Sequence, residues 1–329
     1  MERSSKVSFL IKLKKNRILL MVLGGYAFVV SSVNARELPF PAPSHAGMPV
    51  QLKVSGLVVD KGDVFVFPDS PSVMIKIPFD TRNKSTTSPF GGLALQSRVQ
   101  ISGSANPGRW RGFYSMGEQV VVWDSTILQL LVLQKKDFSV VRSVTVPLDV
   151  VKPALDRGGE ASHLEVKRLR NKLRGSFKSL KGDRFSGLAE IPSDWEGSKG
   201  RRFLISTRLS GFPLLLMACD PDDAANCYIE RQCQLHGASP QLNAHSAGIG
   251  INAEKRAILI ANSFSNTIEV FKYDRCGSVQ KTSFLKIPNK LPKVETIYLD
   301  ALSRLWIGTG VIDTQVESNI FFWEKGTWM

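Results

Sequence analysis

The chain has 329 residues, with 43 Lys plus Arg against 29 Asp plus Glu, four His and four Cys, and a formal net charge of +14. That length supports a large core, which excludes a disulfide-stapled mini-protein. With 43% hydrophobic and 22% charged residues the body is expected to be folded and globular, and a single apolar run near membrane length excludes a polytopic transporter.

The first 35 residues read as a targeting segment. Six basic residues (Arg3, Lys6, Lys12, Lys14, Lys15 and Arg17) precede an apolar run from Ile18 to Val30, and small residues lead to a cut after Ala35. An uncleaved anchor is the competing reading. However, 13 helical residues at ~1.5 Å each fall short of a ~30 Å hydrocarbon core. Taking those six bases and Glu2 from the totals of 43 and 29 leaves 37 basic and 28 acidic residues, net +9. An exported chain meets envelope surfaces and polymers rather than nucleic acid. The residual charge therefore predicts a protein or anionic envelope partner, with a small-molecule substrate as the other option. Membrane contact is expected only through the N-terminal segment or the basic insert described below.

Residues 36–49, with Pro39, Pro41, Pro43 and Pro49, form an extended entry segment. Strand signals then recur over 50–329. The first unit has Val54–Val59, Val64–Phe67 and Val73–Ile77. The second starts at Gly117 and has Val120–Trp123, Leu128–Leu133 and Phe138–Val146. The third has Gly187–Ala189, Phe203–Ile205, Leu214–Met217 and a strand near Tyr228. The fourth has Ala247–Ile251, Ile258–Ile260, Ile268–Phe271 and Ser283–Ile287. The fifth has Thr296–Leu299, Leu305–Ile307 and Ile320–Trp323. A small sheet cannot bury both of its faces alone. Radial packing of repeated sheets does, so the fold expected is an all-β propeller. The 294 residues left after cleavage, at ~45 per blade, give six blades, the sixth combining the N-terminal strand with the poorly patterned residues 86–116 or with part of 150–183.

Residues 151–183 interrupt this pattern. Val166, Leu169, Leu173, Phe177 and Leu180 recur at helical spacing among Lys167, Arg168, Arg170, Lys172 and Arg174. Between Lys152 and Arg184 ten basic residues face four acidic ones. The expectation is a basic, helical insert: either a solvated surface helix, or a docking face for an anionic lipid, polysaccharide or acidic partner.

Cys219, Cys227, Cys233 and Cys276 form an even set in an exported chain. Of three pairings, Cys219–Cys227 across the Asp220–Asn226 loop with Cys233–Cys276 is preferred. A zinc site is the alternative, although the spacings are wider than those of zinc modules.

The stretch Ala247 to Phe271, with Ala-Asn262-Ser263 closing one strand and Ile268-Glu-Val-Phe271 forming the next, resembles an NHL-type or gluconolactonase-like (YVTN-type) propeller blade. Ile297 to Gly310 is similar to its inner half. The resemblance implies a six-bladed-type propeller used for binding or scaffolding. In its lactonase branch it implies a hydrolase with a channel divalent cation, Ca or Zn. Phe185–Glu190 and Phe203–Arg208 are similar, more faintly, to pieces of esterase-like phytase propellers.

No catalytic motif stands out. There is no G-x-S-x-G elbow and no phosphate loop opening a helix. His45 and His236 read as plain surface residues. His245, Asn243, Glu295, Arg184 and Ser186 lie at or just before inner-strand starts. There they would line a channel mouth able to bind an anion or a metal, or else satisfy strand ends. The function expected is a binding or scaffold module in the periplasm or outside the cell, with no cofactor. The alternative is an ester or lactone hydrolase using the channel cation.

Overall fold

In a computed structural model, the residues described are 19–23, 26–30, 36–38, 44–46, 53–60, 62–68, 73–78, 98–100, 110–124, 129–137, 139–146, 167, 168, 170, 171, 185–197, 200–208, 213–220, 223–287, 292–310 and 320–323. They are almost entirely strand. β1 (Leu19–Leu23) and β2 (Tyr26–Val30) form an antiparallel hairpin of their own. β3 (Arg36–Leu38) and β4 (Ser44–Ala46) follow.

Five larger sheets come next. Blade 1 is β5 (Val54–Asp60), β6 (Asp63–Pro68), β7 (Val73–Pro78) and β8 (Arg98–Gln100). Blade 2 is β9 (Trp110–Met116), β10 (Gln119–Asp124), β11 (Gln129–Gln134) and β12 (Val140–Thr145). Blade 3 is β13 (Phe185–Ile191), β14 (Arg202–Thr207), β15 (Leu214–Asp220) and β16 (Asp223–Gln232). After β17 (Leu235–His236), blade 4 is β18 (Ser246–Asn252), β19 (Ala257–Asn262), β20 (Thr267–Arg275) and β21 (Ser278–Lys286). Blade 5 is β22 (Val294–Leu299), β23 (Leu305–Thr309) and β24 (Ile320–Trp323), with β4 as its fourth strand. β3 and β17 both pair in parallel with the outer edge of β21.

The strand sequences follow from their place in a blade. β14 and β19 are buried at every position, so they read as continuous apolar runs. The outer strand β12 alternates toward solvent. The buried apolar residues fall into five clusters, each shared by two neighbouring sheets and together completing a circle. Trp123 with Phe185, for example, belongs to the cluster between blades 2 and 3, and Trp306 with Val54 to that between blades 5 and 1.

Glycine sets the ring's diameter. A Cβ on Gly56 would fall 1.6 Å from the Phe113 ring, on Gly112 2.4 Å from Leu188 N, on Gly187 2.7 Å from Ile249 N, and on Gly248 2.8 Å from Ile297 N. Each inner strand thus receives the next blade against a bare Cα, and each carries a register shift beside that position. At the closing junction Thr296 stands in the equivalent place. There Gly308 of β23 makes the room instead, 2.5 Å from the Val54 side chain.

Both preferred disulfides form. Cys219–Cys227 ties β15 to β16, and Cys233–Cys276 ties blade 3 to the β20–β21 turn. Glu196 reinforces the second bridge by accepting from the Tyr273 hydroxyl, from Cys276 N at 2.8 Å and from Arg231 at 3.4 Å. Burial, followed by the Glu196 charge, pushes the Tyr273 phenol up. Paired cysteines fit an oxidising compartment.

Several expectations change. The inner strands of the five sheets touch in a closed cycle, β5–β9–β13–β18–β22–β5, which leaves no gap for a sixth blade. Much of the length that the period counted, residues 79–97 and most of 147–184, lies outside the described residues. Trp110–Met116, expected to be poorly patterned, is an inner strand; its Trp, Arg and Gly hide the usual apolar run. The entry segment supplies two outer strands rather than a plain linker. The apolar run Ile18 to Val30 contains a hairpin rather than a helix, with Gly24-Gly25 between its strands in the sequence. No helix among the described residues is long and apolar enough to cross a membrane. Within the expected insert, Lys167, Arg168, Arg170 and Asn171 are helical, and the rest, Lys172 and Arg174 included, lies outside the described residues.

Candidate functional site

The inner strands run side by side along the ring axis, so the ring has two ends: one at the strand starts and one at the strand finishes. At the starts, serines of blades 3 and 4 meet. The Ser186 hydroxyl lies 2.6 Å from that of Ser246 and 3.0 Å from that of Ser206, and Ser246 donates to Thr207 O at 2.8 Å. Each hydroxyl has one hydrogen to give. If Ser246 gives its own to Thr207, Ser186 donates to Ser246 and Ser206 to Ser186, so the chain is self-consistent and complete. All three serines are buried.

Among the described residues, Ser186, Glu295 and His245, expected at this mouth, have separate partners. Ser186 is absorbed in the hydroxyl chain. Glu295 pairs with Lys53 at 3.4 Å. The half-buried His245 ends the one-turn helix Leu242–His245 and lies on the Phe264 ring, centroids 5.0 Å apart. Asn243 is in that same turn, and Arg184 lies outside the described residues. No hydrogen bond or ion pair joins His245 to Glu295. Lys167 and Arg168 are exposed on their helical segment, while Arg170 is half-buried.

The cavity is at the other end. It measures ≈ 570 Å³ and is walled by the last residues of β9, β13, β18 and β22 and by the turns that follow three of them. A polar chain runs through one wall. The Tyr114 hydroxyl hydrogen-bonds to Glu190, and burial followed by that bond pushes its phenol up to about 12. Glu190 in turn accepts a two-pronged pair from Arg201, Nε at 2.8 Å and Nη2 at 2.7 Å. The Glu190 hydrogen bond pushes the Arg201 guanidinium up. Arg201 also lies over the Phe203 ring, on whose edge Tyr114 packs.

Across the cavity, burial raises the Tyr298 phenol first, and Asp300, Tyr114 and Asp60 add to the effect. Both phenols are therefore neutral over the physiological range and can donate or accept a hydrogen bond. Asp300 ties the β22–β23 turn by accepting from Leu302 N and Arg304 N, from Arg304 Nε at 2.6 Å and from Trp306 Nε1 at 2.9 Å. Asn252 does the same for the β18–β19 turn through Lys255 N at 3.0 Å. Beside this end, Lys135 bridges blades 1 and 2 through Asp60 at 2.6 Å and Ser115 at 2.7 Å.

Among the described residues, no group of three or more His, Cys, Asp or Glu could hold a metal ion. The donor set for the channel cation of the hydrolase alternative is therefore not found there, and no step is routed through one.

The lining residues Tyr114, Glu190, Gly250 and Tyr298 were not singled out in the sequence. A signal exists: aligning the units on the glycine of the inner strand places Tyr114 and Tyr298 two positions beyond Gly112 and Thr296. The other three inner strands carry Val58, Ala189 and Gly250 at that place, so the two tyrosines stand out among small or apolar residues.

No protein-family model and no curated protein matches the chain. Solved structures similar to it include a glutaminyl cyclase of Myxococcus xanthus, at 12% identity over 84% of this chain and 92% of that one, with a TM-score of 0.47. A luciferin-regenerating enzyme is 9% identical over 86% and 80% of the two chains, TM-score 0.41. A candidate exported protein of Bacteroides fragilis is 9% identical over 90% and 77%, TM-score 0.41. At these values the likenesses carry no inference about activity.

Proposed function

We propose that the protein is an exported β-propeller that acts as a binding module, working in the periplasm or outside the cell and receiving its ligand in the strand-finish cavity. The observation that carries this reading is the cavity itself. Its ≈ 570 Å³ lies on the ring axis and is built by four of the five blades, at a size that suits a small ligand or a protruding side chain. Its polar groups are mostly occupied in holding the wall. Glu190 is neutralised by Arg201, Asp300 by Arg304, and both phenols are protonated. That arrangement fixes shape and orients a guest. The two formed disulfides support export. The exposed Lys167 and Arg168 support a second, weaker contact with an anionic envelope component.

Gly250 provides the test. It lines the cavity, and a Cβ there meets Leu299 only at an ordinary 3.5 Å, so Gly250→Leu fills the space without breaking the ring. A small-molecule library screened by ligand-detected NMR is expected to give binders to the wild type that Gly250→Leu no longer binds. A library whose binders are all indifferent to Gly250→Leu would sink the reading.

A further inference from the structure

The cavity wall has a charge and surface character opposite to that of the chain as a whole. The chain carries 43 basic residues against 29 acidic ones, yet the residues lining the cavity include Glu190, Glu254 and Asp300 and no Lys, Arg or His. Arg201 and Arg304 hold Glu190 and Asp300 from behind the lining, and Glu254, in the turn after β18, adds a third carboxylate. Three aromatic residues (Phe113, Tyr114 and Tyr298) contribute to the same wall. Burial holds both phenols in the neutral form, so their rings keep the ordinary aromatic quadrupole with its negative face.

We propose that this cavity takes an organic cation: a quaternary or primary ammonium group, or a guanidinium, on a small molecule or at the tip of a side chain. The proposal rests on the binding-module reading above and names its ligand class. An aromatic wall attracts a cation through its ring faces, most strongly where water is thinned out. The carboxylates add a favourable potential in a concave, low-dielectric site, where field lines concentrate. An anion entering the same space would meet Glu190 and Asp300 with their counter-charges on the far side, and the Glu254 carboxylate beside them. A neutral polyol could use Asn252 and the phenols, and would leave the charge asymmetry unused. The wall is preorganised: Tyr114 is fixed by Glu190 and Phe203, and Asp300 by four donors. Little ordering is then needed when a guest arrives.

The test compares choline with 3,3-dimethyl-1-butanol, its uncharged carbon isostere, and with glucose, by titration calorimetry on the mature chain with both disulfides formed. Choline is expected to bind at least tenfold more tightly than the isostere, about 1.4 kcal/mol. Glu254→Gln is expected to weaken choline about threefold or more and leave the isostere unchanged. Gly250→Leu should abolish choline binding with an unaltered unfolding midpoint, which separates a filled cavity from a damaged fold. If the isostere or glucose binds as tightly as choline and Gly250→Leu removes that binding, the cation assignment is overturned while the module reading stands. If none of the three probes binds, the cation assignment is overturned as well, and the library screen with Gly250→Leu then decides the module reading on its own.

Discussion

The two ends of the ring use the same five inner strands differently. Gly248 and Gly250 make the contrast within one strand. At Gly248 an added Cβ would sit 2.8 Å from the backbone of the next blade, whereas at Gly250 it would meet Leu299 at 3.5 Å and border a cavity. At the strand starts the polar atoms satisfy one another, as in the hydroxyl chain from Ser206 through Ser186 and Ser246 to Thr207 O. At the finishes the blades separate, and aromatic and acidic side chains line the gap. Ring closure and ligand space are thus segregated along the axis. The start end carries the tight fit, and the finish end is left free to vary in chemistry.

The contrast can be broken in stages. The largest effect is expected at the tight end: Gly248→Leu drives a side chain into the Ile297 backbone and should destabilise by about 3 kcal/mol. Gly250→Ala should fall within about 1 kcal/mol of the wild type, on the stabilising side if its backbone suits alanine. Denaturant midpoints at constant slope measure both, and equal losses at the two glycines would erase the distinction between the ends. A smaller effect is expected from Ser246→Ala, which takes the hydroxyl donor from Thr207 O and leaves Ser186 only its Ser206 partners, and should lose about 1–2 kcal/mol. Ligands sensitive to Gly250→Leu should bind this variant normally. Weakened binding would show that the two ends are coupled.

The smallest and most local effect concerns pH. The Tyr114 phenol is held up at about 12 in the folded chain, against ~10 in an unfolded one. Folding therefore favours the protonated phenol. Its contribution is full below pH ~10 and is lost as pH rises through about 12. Tyr273 and Tyr298, also raised, act in the same direction. Absorbance near ~295 nm should show late phenolate formation, and Tyr114→Phe should reduce, without abolishing, the alkaline loss of stability. An unchanged alkaline profile in Tyr114→Phe would place this phenol outside the buried wall.

Much of the architecture was legible in the sequence, because blades write simple patterns. Ala257–Asn262 and Arg202–Thr207 are enclosed on both faces and read as short apolar runs bounded by turns. The cysteine pairing followed from the loop between Cys219 and Cys227. The blade count did not follow, since a period estimated from length cannot tell a blade from the chain that connects blades. The inner strand of blade 2 was missed for a local reason: Arg111 stands where three other inner strands carry Ser55, Ser186 and Ala247. The cavity was illegible for a deeper one. Tyr114, Glu190, Gly250 and Tyr298 come from four different units, and each alone looks like an ordinary strand residue. Their convergence depends on ring size, which is set by where the glycines lie. His245 and Glu295 drew notice because titratable groups are conspicuous, and each has a partner of its own, the Phe264 ring and Lys53.

The pairing of β4 with β24 has a consequence for how such a chain comes to be finished. Ala46 lies opposite Ile320, and His45 opposite Phe321, so one of the earliest strands to emerge is matched to the last. A chain threaded across a membrane from its N-terminus would deliver residues 44–46 with no mate until almost everything else had followed. Contacts of such sequence separation form slowly, and through that interval the outer edge of blade 5 and both of its flanking cores must wait. The clasp makes completion of blade 5 an event that comes only after the rest of the chain has been delivered. A chain that stalls part-way exposes unpaired strand edges, which are open to aggregation.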